Sequence, residues 1–138
     1  MKLTLKALAA GSALLCSSWL QATDLTFWSW RVEDKAFYDQ IAKDYKALSG
    51  DEVKFTPYKN TEYPAVLSAA LASGGGPDII HTRAYGGLSN LSDAGYLLAL
   101  NAKTVPNLGK FPASALGGSR GYKSPFDKEI YGVPFATQ

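Results

Sequence analysis

Three short clusters in this 138-residue chain hold most of the side chains that could do chemistry. They are Trp30, Arg31 and Glu33; Tyr58, Lys59 and Asn60; and His81, Thr82 and Arg83. Guanidinium, amide and carboxylate groups are planar hydrogen-bonding units that match hydroxyl pairs, and an indole face covers a C–H surface. Together they suit a polar, ring-shaped molecule such as a sugar. His81 is the only histidine, and it can serve as a base, as a donor to a ligand, or as a hydrogen-bonded wall residue. Lys59 and Glu62 read as solvated surface charges. Trp28 reads as core, while Trp30 fits the core and the crevice edge equally well.

Other chemistries find less support. A metal site would need His81 plus carboxylates, because Cys16 is the only cysteine and sits in the leader. No His-Glu-x-x-His helix is present, and the one Gly-x-Ser-x-Gly string, Gly117–Gly121, falls in an aperiodic stretch rather than at the strand-to-helix turn of a nucleophile elbow. The run Gly74-Gly75-Gly76 looks like a phosphate cradle, but such loops follow a strand and open a helix. Here the glycines follow a helical pattern and precede Ile79-Ile80, so they read as a helix stop and a turn. Glu33 and Asp34 could be paired carboxylates, yet adjacent acids at a helix start more simply cap it. The expectation is therefore a binding site with no catalytic residue, metal or cofactor.

The elements that must position these clusters follow from pattern. Leu25–Trp30 is apolar, aromatic and β-favouring, which predicts a strand. Phe37, Ile41, Tyr45 and Leu48, widened by Tyr38 and Ala42, predict a helix over about 34–48 with one apolar stripe, stopped by Ser49-Gly50. Asp51–Tyr58 alternates and predicts a second strand. Tyr63, Val66, Leu67, Ala70 and Leu71 predict a second helix capped by Thr61, and Ile79–His81 a third strand. Leu88, Leu91 and Ala94 predict one or two helical turns closed by Gly95. Residues 104–126 show no period, and Tyr131–Phe135 reads as strand. Strand and helix in alternation predict an α/β fold with a parallel sheet, whose crevice lies outside the carboxyl ends of the strands. All three clusters fall at that edge.

Residues 1–22 have the layout of a secretory signal peptide, with Lys2 and Lys6 ahead of an apolar run too short to span a membrane. Leu15 stands where a lipoprotein signal places a small residue before its cysteine, so cleavage after Ala22 is expected rather than anchoring through Cys16. Without the leader, basic residues fall from 14 to 12 against 12 acidic ones. A neutral mature chain with no basic stripe argues against nucleic acid as a partner.

Four stretches in order carry a family resemblance: Leu25–Trp30 before a helix, Gly75–Ile80, Ser92–Leu100, and Ile130–Ala136. The chain resembles the family 1 extracellular solute-binding proteins, the periplasmic receptors of carbohydrate importers that include maltose-binding protein. The resemblance implies a periplasmic-binding-protein-like fold of type II, in which residues 23–138 form most of the N-terminal lobe and Phe135–Gln138 reach the hinge. It also implies a monomeric periplasmic receptor whose partners are a carbohydrate and the permease subunits of an ABC importer. By position it assigns ligand contact to Trp30, Arg31, Glu33, His81, Thr82, Arg83 and Gln138. Two departures stand out. Maltose-type receptors carry Asp-Arg before Phe-Gly-Gly, where this chain has Arg83-Ala84 before Tyr85-Gly86-Gly87. The stretch Lys123–Glu129 is also longer than the usual turn before the last strand. Two rival readings are the same scaffold with a charged solute, a glycerophosphodiester or polyamine, and a secreted carbohydrate-cleaving enzyme.

Overall fold

The computed structural model describes residues 22–121 and 129–135. The leader up to Gln21, most of the stretch Lys123–Glu129, and Gln138 therefore lie outside the described residues. Three parallel strands form the sheet: β1 (Asp24–Ser29), β2 (Glu52–Pro57) and β3 (Ile79–Ile80), in the order β2-β1-β3. Register pairs Phe27 with both Phe55 and Ile79, and Ser29 with Pro57, so the three strands end nearly level. Two amides carry the pairing past the strand ends, Tyr58 donating to the Ser29 carbonyl at 2.8 Å and His81 to that of Trp28 at 2.9 Å. The clusters after each strand thus share one edge.

Side chains of β1 alternate between two aromatic layers, as the period of a strand requires. On one face Phe27 meets Tyr38 edge-on at 5.2 Å and Phe55 at the same distance. On the other, Trp28 packs against Tyr58 at 5.0 Å and Trp30 against Tyr63 at 5.6 Å. Helix α1 (Lys35–Ser49) covers the first face and ends at Gly50, whose φ of 84° is the left-handed turn that glycine makes without strain. Asp34 occupies the N-cap position but makes no side-chain cap bond. Helix α2 (Tyr63–Ala72) buries Tyr63 and Leu67.

The turn before β3 is pinned by its aspartate. Asp78 accepts from both the Thr26 amide and the Thr26 hydroxyl at 2.8 Å, and its own amide donates back to that hydroxyl at 3.1 Å. Those bonds hold the Asp78 carboxyl below the usual carboxylate range. A stop, a rigid proline and a side chain that grips β1 together fix where β3 begins.

The apolar stripe of α1 stands largely open among the described residues: Phe37 is 62% exposed, Ile41 45%, Tyr45 41% and Leu48 88%. A 3.6-residue period shows that a helix has an apolar face, not that the described residues cover it. The strand expected over Tyr131–Phe135 is corrected: among the described residues it forms no ladder, since only Ile130 bridges, antiparallel to Leu100 and Arg120, and Pro134 has no amide to donate. The aperiodic stretch contains a short helix α4 (Ala113–Gly117), which follows α3 (Gly86–Asp93).

Candidate functional site

The end of β1 is held by a buried polar chain. Ser29 is fully buried, and its hydroxyl lies 2.6 Å from His81 Nδ1, while His81 Nε2 lies 3.2 Å from the Tyr38 hydroxyl. The Arg31 amide donates to Ser29 Oγ at 3.0 Å. With the imidazole neutral, Ser29 donates to Nδ1 and Nε2–H donates to Tyr38, so every group in the chain is satisfied. Burial pushes His81 down to about 4, with the Arg31 charge adding to the effect and Asp34 opposing it. Burial likewise raises the Tyr38 phenol.

Tyr63 locks the same corner from α2. Its hydroxyl donates to the His81 carbonyl at 2.7 Å and to the Trp28 carbonyl at 3.2 Å, tying the ends of β1 and β3 together. Its ring supports Trp30, which also tilts against the His81 ring at 5.8 Å. Phe135 stacks on His81 at 4.6 Å with the planes 16° apart. The indole of Trp30 is therefore backed by buried aromatic groups.

The two arginines differ sharply in their surroundings. Arg31 pairs with Asp34 through a short bond and with Glu33 at 3.6 Å. Arg83 pairs with no carboxylate among the described residues. Its guanidinium carbon sits 5.0 Å from the Trp30 ring centroid, and Nη2 donates to Asn60 Oδ1 at 2.9 Å. Stacking on an indole orients a guanidinium without discharging it, and the Asn60 bond uses one of five N–H donors.

Trp30, Arg31, Thr82 and Arg83 line one open cavity of about 680 Å³, together with Tyr85 and Phe135. Trp30 and Arg83 also line a smaller one of about 260 Å³, walled by Tyr63, Leu67 and Leu91 among others. His81 borders that smaller space but is only 7% exposed, so it offers a wall rather than a hand. Glu33 lines neither cavity and is engaged by Arg31. Lys59 and Glu62 pair with each other at 3.4 Å on the surface. No cluster of three metal-ligating side chains occurs among the described residues.

Sequence reasoning missed Ser29, Tyr38, Tyr63 and Tyr85. For Ser29 there was a signal: a lone hydroxyl inside an aromatic strand must find a buried partner. Tyr63 and Tyr38 read only as apolar positions of helical faces.

Comparison with known proteins places this arrangement. Similar solved structures include a protein of xylan utilization from the thermophilic bacterium Caldanaerobius polysaccharolyticus, 21% identical over 80% of this chain and 28% of that one, with a TM-score of 0.68. The GacH receptor of Streptomyces glaucescens, described unliganded and with acarbose, is 20% identical over 82% and 29%, at 0.69. An ABC transporter solute-binding protein of Thermotoga lettingae bound with α-D-tagatose is 19% identical over 81% and 28%, at 0.68. This chain therefore spans under a third of the length of each of these three structures. No curated protein matches it. The shared fold is the α/β, periplasmic-binding-protein-like one, and the family model of the bacterial extracellular solute-binding proteins matches residues 28–138: the chain belongs to that family.

Proposed function

We propose that residues 23–138 form the first lobe of a receptor that captures a carbohydrate outside the cytoplasm and passes it to the permease subunits of an ABC importer. Residues 1–22 act as its secretory leader into the periplasm, and the receptor works as a monomer, with no cofactor and no bond made or broken. The observation that carries this reading is the Trp30 face with the Arg83 guanidinium held over it at the wall of an open cavity. An indole takes the C–H face of a sugar ring, and Arg83 and Thr82 supply donors to its hydroxyls. His81, Ser29 and Tyr63 hold that wall in place. Arg31 contributes its backbone more than its charge, since two carboxylates already engage the guanidinium. Glu33 has the weakest claim to ligand contact, and Gln138 keeps the hinge role that the resemblance implies. A sugar that touches this lobe and a facing one binds the closed form more tightly and so shifts the equilibrium toward closure.

Relatives of this fold are described with acarbose and tagatose and in xylan utilization, which sets the panel. Calorimetry of the full-length protein with xylo-oligosaccharides, acarbose and tagatose should give saturable heat with at least one, and the sugar should be recovered unchanged. Silence across the panel, or cleavage products, would overturn the reading. A second reading has one observation in its favour: Arg83, unpaired with a carboxylate among the described residues, would also meet an anionic group. Binding that weakens steeply with salt would select it.

A further inference from the structure

The backbone of Tyr85 has φ 58° and ψ −117°, and it is the only non-glycine at positive φ among the described residues. A bulky side chain seldom occupies that region, so the surrounding structure must impose it. Two contacts do so. The Tyr85 amide donates to the Gly118 carbonyl at 2.9 Å, and its carbonyl accepts from the Ser89 amide at 2.8 Å. Gly118 permits the approach, since a Cβ there would lie 2.8 Å from Ala84 Cβ and 3.5 Å from the Tyr85 ring. A glycine at position 85 would adopt the same conformation without strain, because it has no Cβ to clash at positive φ. What tyrosine adds is a ring, 58% exposed, lining the cavity that Trp30, Thr82 and Arg83 also line.

We propose that Tyr85 is a ligand-binding residue, held in a strained turn so that its ring adds an aromatic surface for a carbohydrate to the cavity that Trp30 and Phe135 also line. This rests on the carbohydrate reading, and it extends the site to the turn that opens α3. The sugar then contacts aromatic surface from the loops after both β1 and β3, which favours rings with a continuous C–H face over open-chain polyols.

The test joins binding to stability in the full-length protein, using whichever panel sugar the native protein binds most tightly. Tyr85→Ala and Tyr85→Gly should weaken that sugar about ten-fold, and Tyr85→Phe should recover most of the loss relative to alanine. Tyr85→Gly should also melt, without ligand, at or above the native temperature, because the strain is gone. Binding unchanged in the alanine and glycine variants would overturn the proposal and leave the carbohydrate reading standing. Weaker binding with a lower melting temperature in Tyr85→Gly would mark the ring as structural and overturn it as well. If the native protein bound no panel sugar, both this proposal and the reading beneath it would fall.

Discussion

His81 should make the protein's stability depend on pH in a window that can be worked out beforehand. Its imidazole is 7% exposed, bonded at both nitrogens, and shifted from 6.5 to about 4 by burial. The folded state therefore resists protonation that the unfolded chain accepts. The stability that comes from burying the neutral ring is fully present above pH 6.5. It declines as pH falls and is lost once pH passes through about 4. At about 1.4 kcal/mol per pH unit, that window is worth about 3 kcal/mol. Urea unfolding of the ligand-free full-length protein at pH 7.5, 5.5 and 4.0, followed by tryptophan fluorescence, measures it. The control is His81→Asn, whose amide can keep a bond to Ser29. Carboxylates titrate in both proteins and largely cancel in the difference. The gap in stability between native and variant should shrink by about 3 kcal/mol from pH 7.5 to 4.0. A gap that stays constant would mean the imidazole is not held neutral, and the buried chain from Arg31 to Tyr38 would be wrong.

Other substitutions follow from the same geometry. Tyr63→Phe removes the hydroxyl that joins the ends of β1 and β3, and should cost about 1–2 kcal/mol in urea unfolding while loosening the support of Trp30. Asp78→Ala frees the start of β3 from Thr26 and should cost about 1 kcal/mol at pH 7, a loss that fades in acid as the native carboxylate is protonated. Gly118→Ala places a methyl 2.8 Å from Ala84 Cβ, so it should destabilise by about 1–3 kcal/mol and weaken sugar binding through the Tyr85 turn. Binding of a neutral sugar should change little between low and high salt in calorimetry.

The strand–helix–strand order, and with it the edge where three polar clusters meet, was legible because period and composition agreed at each element. Trp30, Arg31, Thr82 and Arg83 surround one cavity because strands of nearly equal end level carry them there. What a linear pattern does not hold is pairing across the fold. Arg31 and Arg83 look alike in sequence, yet one is flanked by Glu33 and Asp34 and the other stacks on an indole. Tyr63 scores as one more apolar residue on a helix face, although its hydroxyl does the structural work. The exposed stripe of Phe37, Ile41 and Leu48 makes the converse point, since periodicity records an apolar face without naming what covers it. The stretch from 104 to 126 stayed unread because an element of five residues such as α4 is too short to show a period.

The central claim concerns where a sugar sits, and a crystal structure of the full-length protein with the tightest-binding panel sugar addresses it directly. The account predicts a ring packed on the Trp30 indole, with hydroxyls within hydrogen-bond distance of Arg83 or Thr82, and His81 buried behind and untouched. A sugar bound elsewhere, with Trp30 and Arg83 still bare, would contradict it.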